Sequence, residues 1–246
     1  MSRRFALTML VVTAIAVVFA STASAHHSWK KYHWARTANP FTVKLGDNVS
    51  NSWDSYLNTA SGDWSASNVL DSPVASGNTN GTTCQPTYGR AEVCNAAYGA
   101  NGWLGIAQIW TTRGNHIVQG VTKMNDTYYN TAKYNTPIWR GAVMCQELGH
   151  IYGLDHQDES GADFHTCMDY ASNPDADNTH PNAHDYEQLA TIYNHFDSFS
   201  TATAQSTLPG QSSVRVQRND RISTSSIEET FADGSQRLTE IYWALP

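Results

Sequence analysis

The spacing of apolar and polar positions changes repeatedly along this chain, and each change marks an element. Phe5 to Ala20 is almost wholly apolar, with no polar face. Phe41-Thr42-Val43-Lys44-Leu45 alternates, which predicts a half-buried strand. Val49, Trp53, Tyr56, Leu57, Ala60 and Trp64 recur at helical spacing and predict an amphipathic helix frayed near Gly62. Residues 70–102, rich in Gly, Asn, Ser and Thr, read as loops with short strands. Leu104 to Trp110 and His116 to Met124 are strand candidates joined by a turn over 111–115. Pro137 opens a helix that runs to about Tyr152. It is apolar on two faces, Trp139 and Val143 on one and Ile138, Cys145, Leu148 and Tyr152 on the other, as a central helix is. Asn182 caps another helix reaching Phe196, with Tyr186, Leu189, Tyr193 and Phe196 on its buried side. Ser/Thr/Gln-rich residues 198–213 read as a linker. Asp233-Gly234 between two strand-like runs predicts a hairpin over Ser225 to Ala244.

This order describes an α+β fold with a small C-terminal β-hairpin. The boundaries expected are a signal peptide over 1–25, a polar leader over 26–40, the main domain over 41–197, the linker over 198–213 and the hairpin extension over 214–246. The first segment reads as a secretory signal because Arg3 and Arg4 precede the apolar run and Ala23-Ser24-Ala25 offers small residues for cleavage. A membrane anchor would need a longer run and a basic stop-transfer cluster. Net charge is −7, and loss of those two arginines with the signal makes it −9. An acidic chain without a Lys/Arg cluster is a poor partner for nucleic acid or anionic membranes. The expected protein is therefore secreted, periplasmic or extracellular, monomeric and free of the membrane after cleavage. Export permits disulfides, and four cysteines allow three pairings. Cys84 with Cys94 would close a short loop, and Cys145 with Cys167 would join two segments of the candidate site.

The candidate chemistry lies in Gln146-Glu147-Leu148-Gly149-His150-Ile151-Tyr152-Gly153-Leu154-Asp155-His156. Four residues apart on a helix, Gln146 and His150 project from one face and can reach one ion, with Glu147 beside them. Gly153 can take a positive φ and end the helix, so that the chain returns His156 to the same ion. Downstream stands Thr166-Cys167-Met168-Asp169-Tyr170.

These segments resemble the metzincin zinc peptidases, whose pattern is H-E-x-x-H-x-x-G-x-x-H followed by a turn containing methionine. Glu147, His150, Gly153 and His156 match at the required spacing, Met168 matches the turn methionine, and Tyr170 follows it by two residues. The resemblance plausibly spans residues 41–196 and is specific only at the motif. It implies a metzincin-like fold, with a twisted mixed sheet, an active-site helix, a methionine turn and a C-terminal helix. It also implies one catalytic Zn2+, a peptide or protein substrate, Glu147 as general base and Tyr170 as oxyanion partner. Gln146 departs from the pattern, because it stands where the family has its first ligand histidine. Three outcomes stay open: Gln146 binds through its amide oxygen, His165, His180 or His184 substitutes, or the site is silent and the fold binds peptides without cutting them.

Leu104 to Trp110 is the candidate sheet edge for an extended substrate. No folded inhibitory segment fits between His26 and Phe41, so no latency device is expected. His26, His27 and His33 read as part of a solvated leader. Acidic positions between Asp158 and Asp177 invite Ca2+, although they lack the spacing of a calcium loop.

Overall fold

The computed structural model describes residues 27–158, 160–170, 172–202, 214–215 and 226–244. The signal segment with His26, and residues 203–213 of the expected linker, lie outside them. In chain order the strands are β1 (His33–Trp34), β2 (Phe41–Thr42) and β3 (Leu45–Asn48), followed by helix α1 (Asp54–Ser65). Then come β4 (Leu70–Asp71), β5 (Val74–Ser76), β6 (Ala91–Ala96), β7 (Trp103–Thr111) and β8 (His116–Asn125). Helices α2 (Asp126–Tyr129), α3 (Pro137–Ile151) and α4 (Ala183–Ile192) precede β9 (Val214–Arg215), β10 (Ser226–Phe231) and β11 (Gln236–Trp243).

The architecture is α+β, built on one mixed sheet ordered β5-β3-β6-β8-β7-β11-β10-β9, with β1 also paired to β8. Strands β3, β5, β6 and β8 run parallel, and β7 reverses direction against β8. The alternation predicted over 41–45 is split: Phe41 and Thr42 pair with β4 in a separate two-stranded sheet, and Leu45 begins β3. Helix α1 continues through Gly62 to Ser65. Trp64 of α1 is fully buried and donates its indole N–H to the Cys145 carbonyl of α3 at 3.0 Å, fixing one helix on the other. Trp34, Trp53 and Trp64 are all fully buried, and truncating any one to alanine would cost about 3–5 kcal/mol.

Helix α3 starts where Thr136 caps it, its side chain accepting from the Trp139 N–H at 3.2 Å, with Pro137 in the first turn. From Ala142 to Ile151 every residue is buried, as the two apolar faces require. Helix α4 begins with a capping box between Asn182 and Asp185 and ends at Ile192, earlier than its periodicity predicts. Phe196, expected on its buried side, is therefore carried out of the helix and is 64% exposed.

Two further expectations are corrected. Residues 27–36 are no solvated leader, because Trp29, Tyr32, Trp34 and Arg36 are buried and β1 joins the main sheet. The sequence there is too short and too aromatic to show a period, and of its residues only Ser28, Lys30 and Lys31 are not buried. The C-terminal hairpin is no appendage either. Strand β11 pairs antiparallel with β7 from Gln236–Thr111 to Trp243–Trp103. Because β8 takes its other side, β7 offers no free edge. The candidate substrate edge is thus occupied by the chain's own C-terminal strand. No described helix is long and apolar enough to cross a membrane.

Candidate metal and catalytic centre

Gly153 has φ +93°, and a Cβ there would lie 2.3 Å from the Tyr32 carbonyl oxygen. Only glycine permits this reversal, which ends α3 and returns His156 toward His150. The Nε2 atoms of those two histidines are 3.2 Å apart and their ring centroids 4.7 Å apart. His150 Nδ1 lies 2.9 Å from the Leu154 carbonyl, an acceptor only, so Nδ1 carries the hydrogen and Nε2 presents its lone pair. Burial, with His156 nearby, pushes the His150 pKa well down, which keeps the ring neutral and able to bind a cation.

Gln146 is equally constrained. Its Nε2 donates to the carbonyls of Cys167 at 2.9 Å and Asp169 at 2.7 Å, which fixes the amide orientation. Its Oε1 is buried and accepts no hydrogen bond. Glu147 is fully buried, and neither of its carboxylate oxygens has a hydrogen-bond partner. Burial pushes its pKa well above the ordinary carboxylate range. Three orphaned oxygens beside paired imidazole nitrogens are costly unless a cation and its water satisfy them. This donor set, two imidazoles and one neutral oxygen with a carboxyl alongside, suits zinc with an open position. Gly105 of β7 lets the strand approach closely, since a Cβ there would sit 2.5 Å from Glu147 Oε1.

The turn after α3 is bolted to it. Cys145 is bonded to Cys167, and Cys84 to Cys94. Met168 is fully buried, and its sulfur lies 2.3 Å from where a Cβ on Gly149 would stand, so it packs directly on the helix backbone beside His150. The Tyr170 ring centroid is 5.2 Å from that of His156. The same ring stacks on Tyr242 of β11 at 5.1 Å, and the Tyr170 hydroxyl accepts the Trp243 backbone N–H at 2.9 Å. Asp169 beneath is buried, with its pKa raised to about 6 by burial and by Asp163, Asp185 and Asp158, against the opposing hydrogen bond from the Phe164 N–H.

Glu147, Gln146, His150, His156, Met168 and Tyr170 are thus gathered at one place. Two of the proposed substitutes are engaged elsewhere, His165 with Asp163 and Asp177 and His180 with Asp63, while the His184 ring packs on His27. Nothing in the structure supports the calcium expectation: both oxygens of Asp158 and Oδ1 of Asp163 accept hydrogen bonds from neighbouring residues. Sequence reasoning missed the N-terminal wall of the site. His27 accepts at its carbonyl from the Asp155 N–H at 2.7 Å, and Trp29 donates its N–H to the Gly153 carbonyl at 2.8 Å. The Trp29 ring lies edge-on to His150 at 5.9 Å. His27 Nε2 is 3.0 Å from Asp185 Oδ1, and Thr166 Oγ1 donates to the other oxygen of that carboxylate. The density of His and Trp over 26–34 was the only signal available for this wall.

No protein-family model and no curated protein matches the sequence. Among solved structures, the chain is similar to high choriolytic enzyme 1, a hatching enzyme zinc-protease from Oryzias latipes (medaka fish). That similarity has a TM-score of 0.37 and 11% identity over 66% of this chain and 94% of that one. The chain is also similar to myroilysin, with a TM-score of 0.38 and 12% identity over 68% of this chain and 98% of that one.

Proposed function

We propose that the chain is a secreted zinc-dependent endopeptidase of the metzincin type, its ion held by His150 Nε2, His156 Nε2 and Gln146 Oε1. The observation that carries this reading is the 3.2 Å approach of two imidazole nitrogens beside a Glu147 carboxyl that has no partner. Zinc bound there would polarise a peptide carbonyl and acidify a water. Glu147 takes the proton of the attacking water at a carboxylate oxygen and passes it to the leaving amine. Burial, which raises its pKa, makes the ionised carboxylate a stronger base. Tyr170 donates its hydroxyl hydrogen to the oxyanion that develops on the substrate.

The site is closed by β11, so the reading includes a displacement. Tyr242 of β11 sits opposite Gly105 in the sheet, directly over the strand position that touches Glu147. A substrate strand would need the edge of β7 that β11 now holds. In this reading the C-terminal strand is the latency device and must move before the protein cuts. The same pairing favours a second reading, a silent metzincin-like module that never opens.

Elemental analysis and cleavage of an unfolded protein substrate separate the two. The peptidase reading expects zinc content to fall by about one ion per chain in His156→Asn, and hydrolysis to be abolished by Glu147→Ala. Zinc content untouched by His156→Asn, or hydrolysis unchanged by Glu147→Ala, overturns it.

A further inference from the structure

We propose that His33, His116 and Asp197 form a second metal site, suited to zinc or a similar divalent transition ion and sharing no ligand with the centre on α3. Three separate parts of the chain converge there. The parallel pairing of β1 with β8 sets His33 directly opposite His116. The segment after α4 returns across β1: the Asp197 N–H donates to the Arg36 carbonyl at 2.9 Å, and the Arg36 N–H donates to Asp197 Oδ2 at 3.1 Å. Asp197 is thereby clamped at its backbone and its side chain together.

The distances match those of ligands around one small ion. His116 Nε2 is 3.3 Å from Asp197 Oδ1, and His33 Nε2 is 3.6 Å from Asp197 Oδ2. One ligand atom from each of the three residues lies within 4.8 Å of the others. Ligands about 2.0–2.1 Å from a tetrahedral zinc stand about 3.3–3.4 Å from one another; the two imidazoles face different oxygens of Asp197, so a turn of that carboxylate would bring the three donors onto one ion. His33 Nδ1 is 2.8 Å from the Lys31 carbonyl, which can only accept. That contact puts the hydrogen on Nδ1 and leaves the Nε2 lone pair facing the cluster, as a ligand imidazole requires. His195 Nε2 lies 3.2 Å from His33 Nε2, where it either donates an N–H to that lone pair or turns aside to leave it to a cation. A cavity of about 380 Å³, lined in part by His33, Asn115 and His195, opens on the His33 side of the cluster.

The competing account is an ion-pair network in which Arg36 neutralises Asp197, its Nη1 lying 3.2 Å from Oδ2. Arg36 engages that oxygen alone, while Oδ1 faces His116. That pairing does not account for two imidazole nitrogens facing the carboxylate and a third ring set against His33.

The test uses the full chain and Zn2+ alone, in a His150→Asn/His156→Asn background that silences the centre on α3. After dialysis this variant should hold about one zinc per chain, and adding His116→Asn should remove it while near-UV circular dichroism stays unchanged. Asp197→Asn in the same background provides a second route to the same loss should the His116 variant not fold. Co2+ in place of zinc should give the visible absorption of a four-coordinate site in the background variant and not in the two derived from it. A folded background variant that holds no zinc, or zinc retained after both His116→Asn and Asp197→Asn, overturns the proposal in favour of the ion-pair network. Because the α3 ligands are already absent, failure of the peptidase reading would not alter either outcome.

Discussion

The N-terminal segment passes two histidine clusters, and they differ in what they leave unmet. At His27 and Trp29 it walls the centre on α3, where Gln146, Glu147, His150 and His156 are all at most 7% exposed and three oxygens accept nothing. At His33 it joins a half-buried cluster whose carboxylate already faces Arg36 and two imidazoles. The first arrangement is poorly satisfied without a cation, whereas the second can stand as an ion-pair network and accept a cation in addition. Chelation should therefore loosen the α3 centre and spare the fold around Asp197.

The largest effect that would break this contrast comes from the cover over the buried centre. Tyr242→Ala removes a buried ring stacked on Tyr170 and should cost about 3–5 kcal/mol in chemical unfolding. If β11 is the cover, the same variant should hydrolyse short peptides several-fold faster at temperatures where it stays folded; slower hydrolysis would make β11 part of the working site instead. Gly153→Ala comes next. It forces an alanine to φ +93° against the Tyr32 carbonyl, and about 1–3 kcal/mol of stability should go with it. Zinc affinity should fall at His150 and His156 and hold at Asp197, as isothermal titration of each site in turn would show. Gln146→His should then tighten zinc at the α3 centre by about tenfold or more, since imidazole is a better zinc ligand than an amide oxygen. An unchanged affinity would remove Gln146 from the ligand set.

The smallest effect is one of pH. The folded state holds the Asp169 proton up to about pH 6, against an ordinary 3.8. Because the folded pKa is the higher one, this group lowers stability as pH rises from about 4 through about 6. Asp169→Asn should remove about 1 kcal/mol of that dependence, after allowance for solvent screening, in urea unfolding of metal-free protein.

The parts legible in the sequence are those whose cause is local. Helix α3, the β7–β8 pair and the hairpin at Asp233-Gly234 each carry their own period and turn chemistry within a few residues. The ligand spacing from Gln146 to His156 is local in the same way. The covering of β7 by β11 is not, because it joins residues more than a hundred positions apart and leaves no mark on the alternation of either strand. The burial of residues 27–36 is hidden from the sequence for the same reason. Trp34 is held by the Ile151 carbonyl and by the Tyr193 hydroxyl, partners that no short window can contain. The orientation of Gln146 depends on the Cys167 and Asp169 carbonyls, so sequence alone could name its residue type but not which end of the amide is left without a partner.

That early segment has a kinetic consequence. Trp29 and Trp34 leave the ribosome well before the residues that hold them, Gly153 and Ile151 for one pair of contacts and Tyr193 for another. Their docking closes very large loops, a slow and entropically costly event. The loop bearing His156 is stitched to His27, so it cannot settle until that closure has happened. During folding, metal competence should emerge after the sheet and after α3, as one of the last properties the chain acquires.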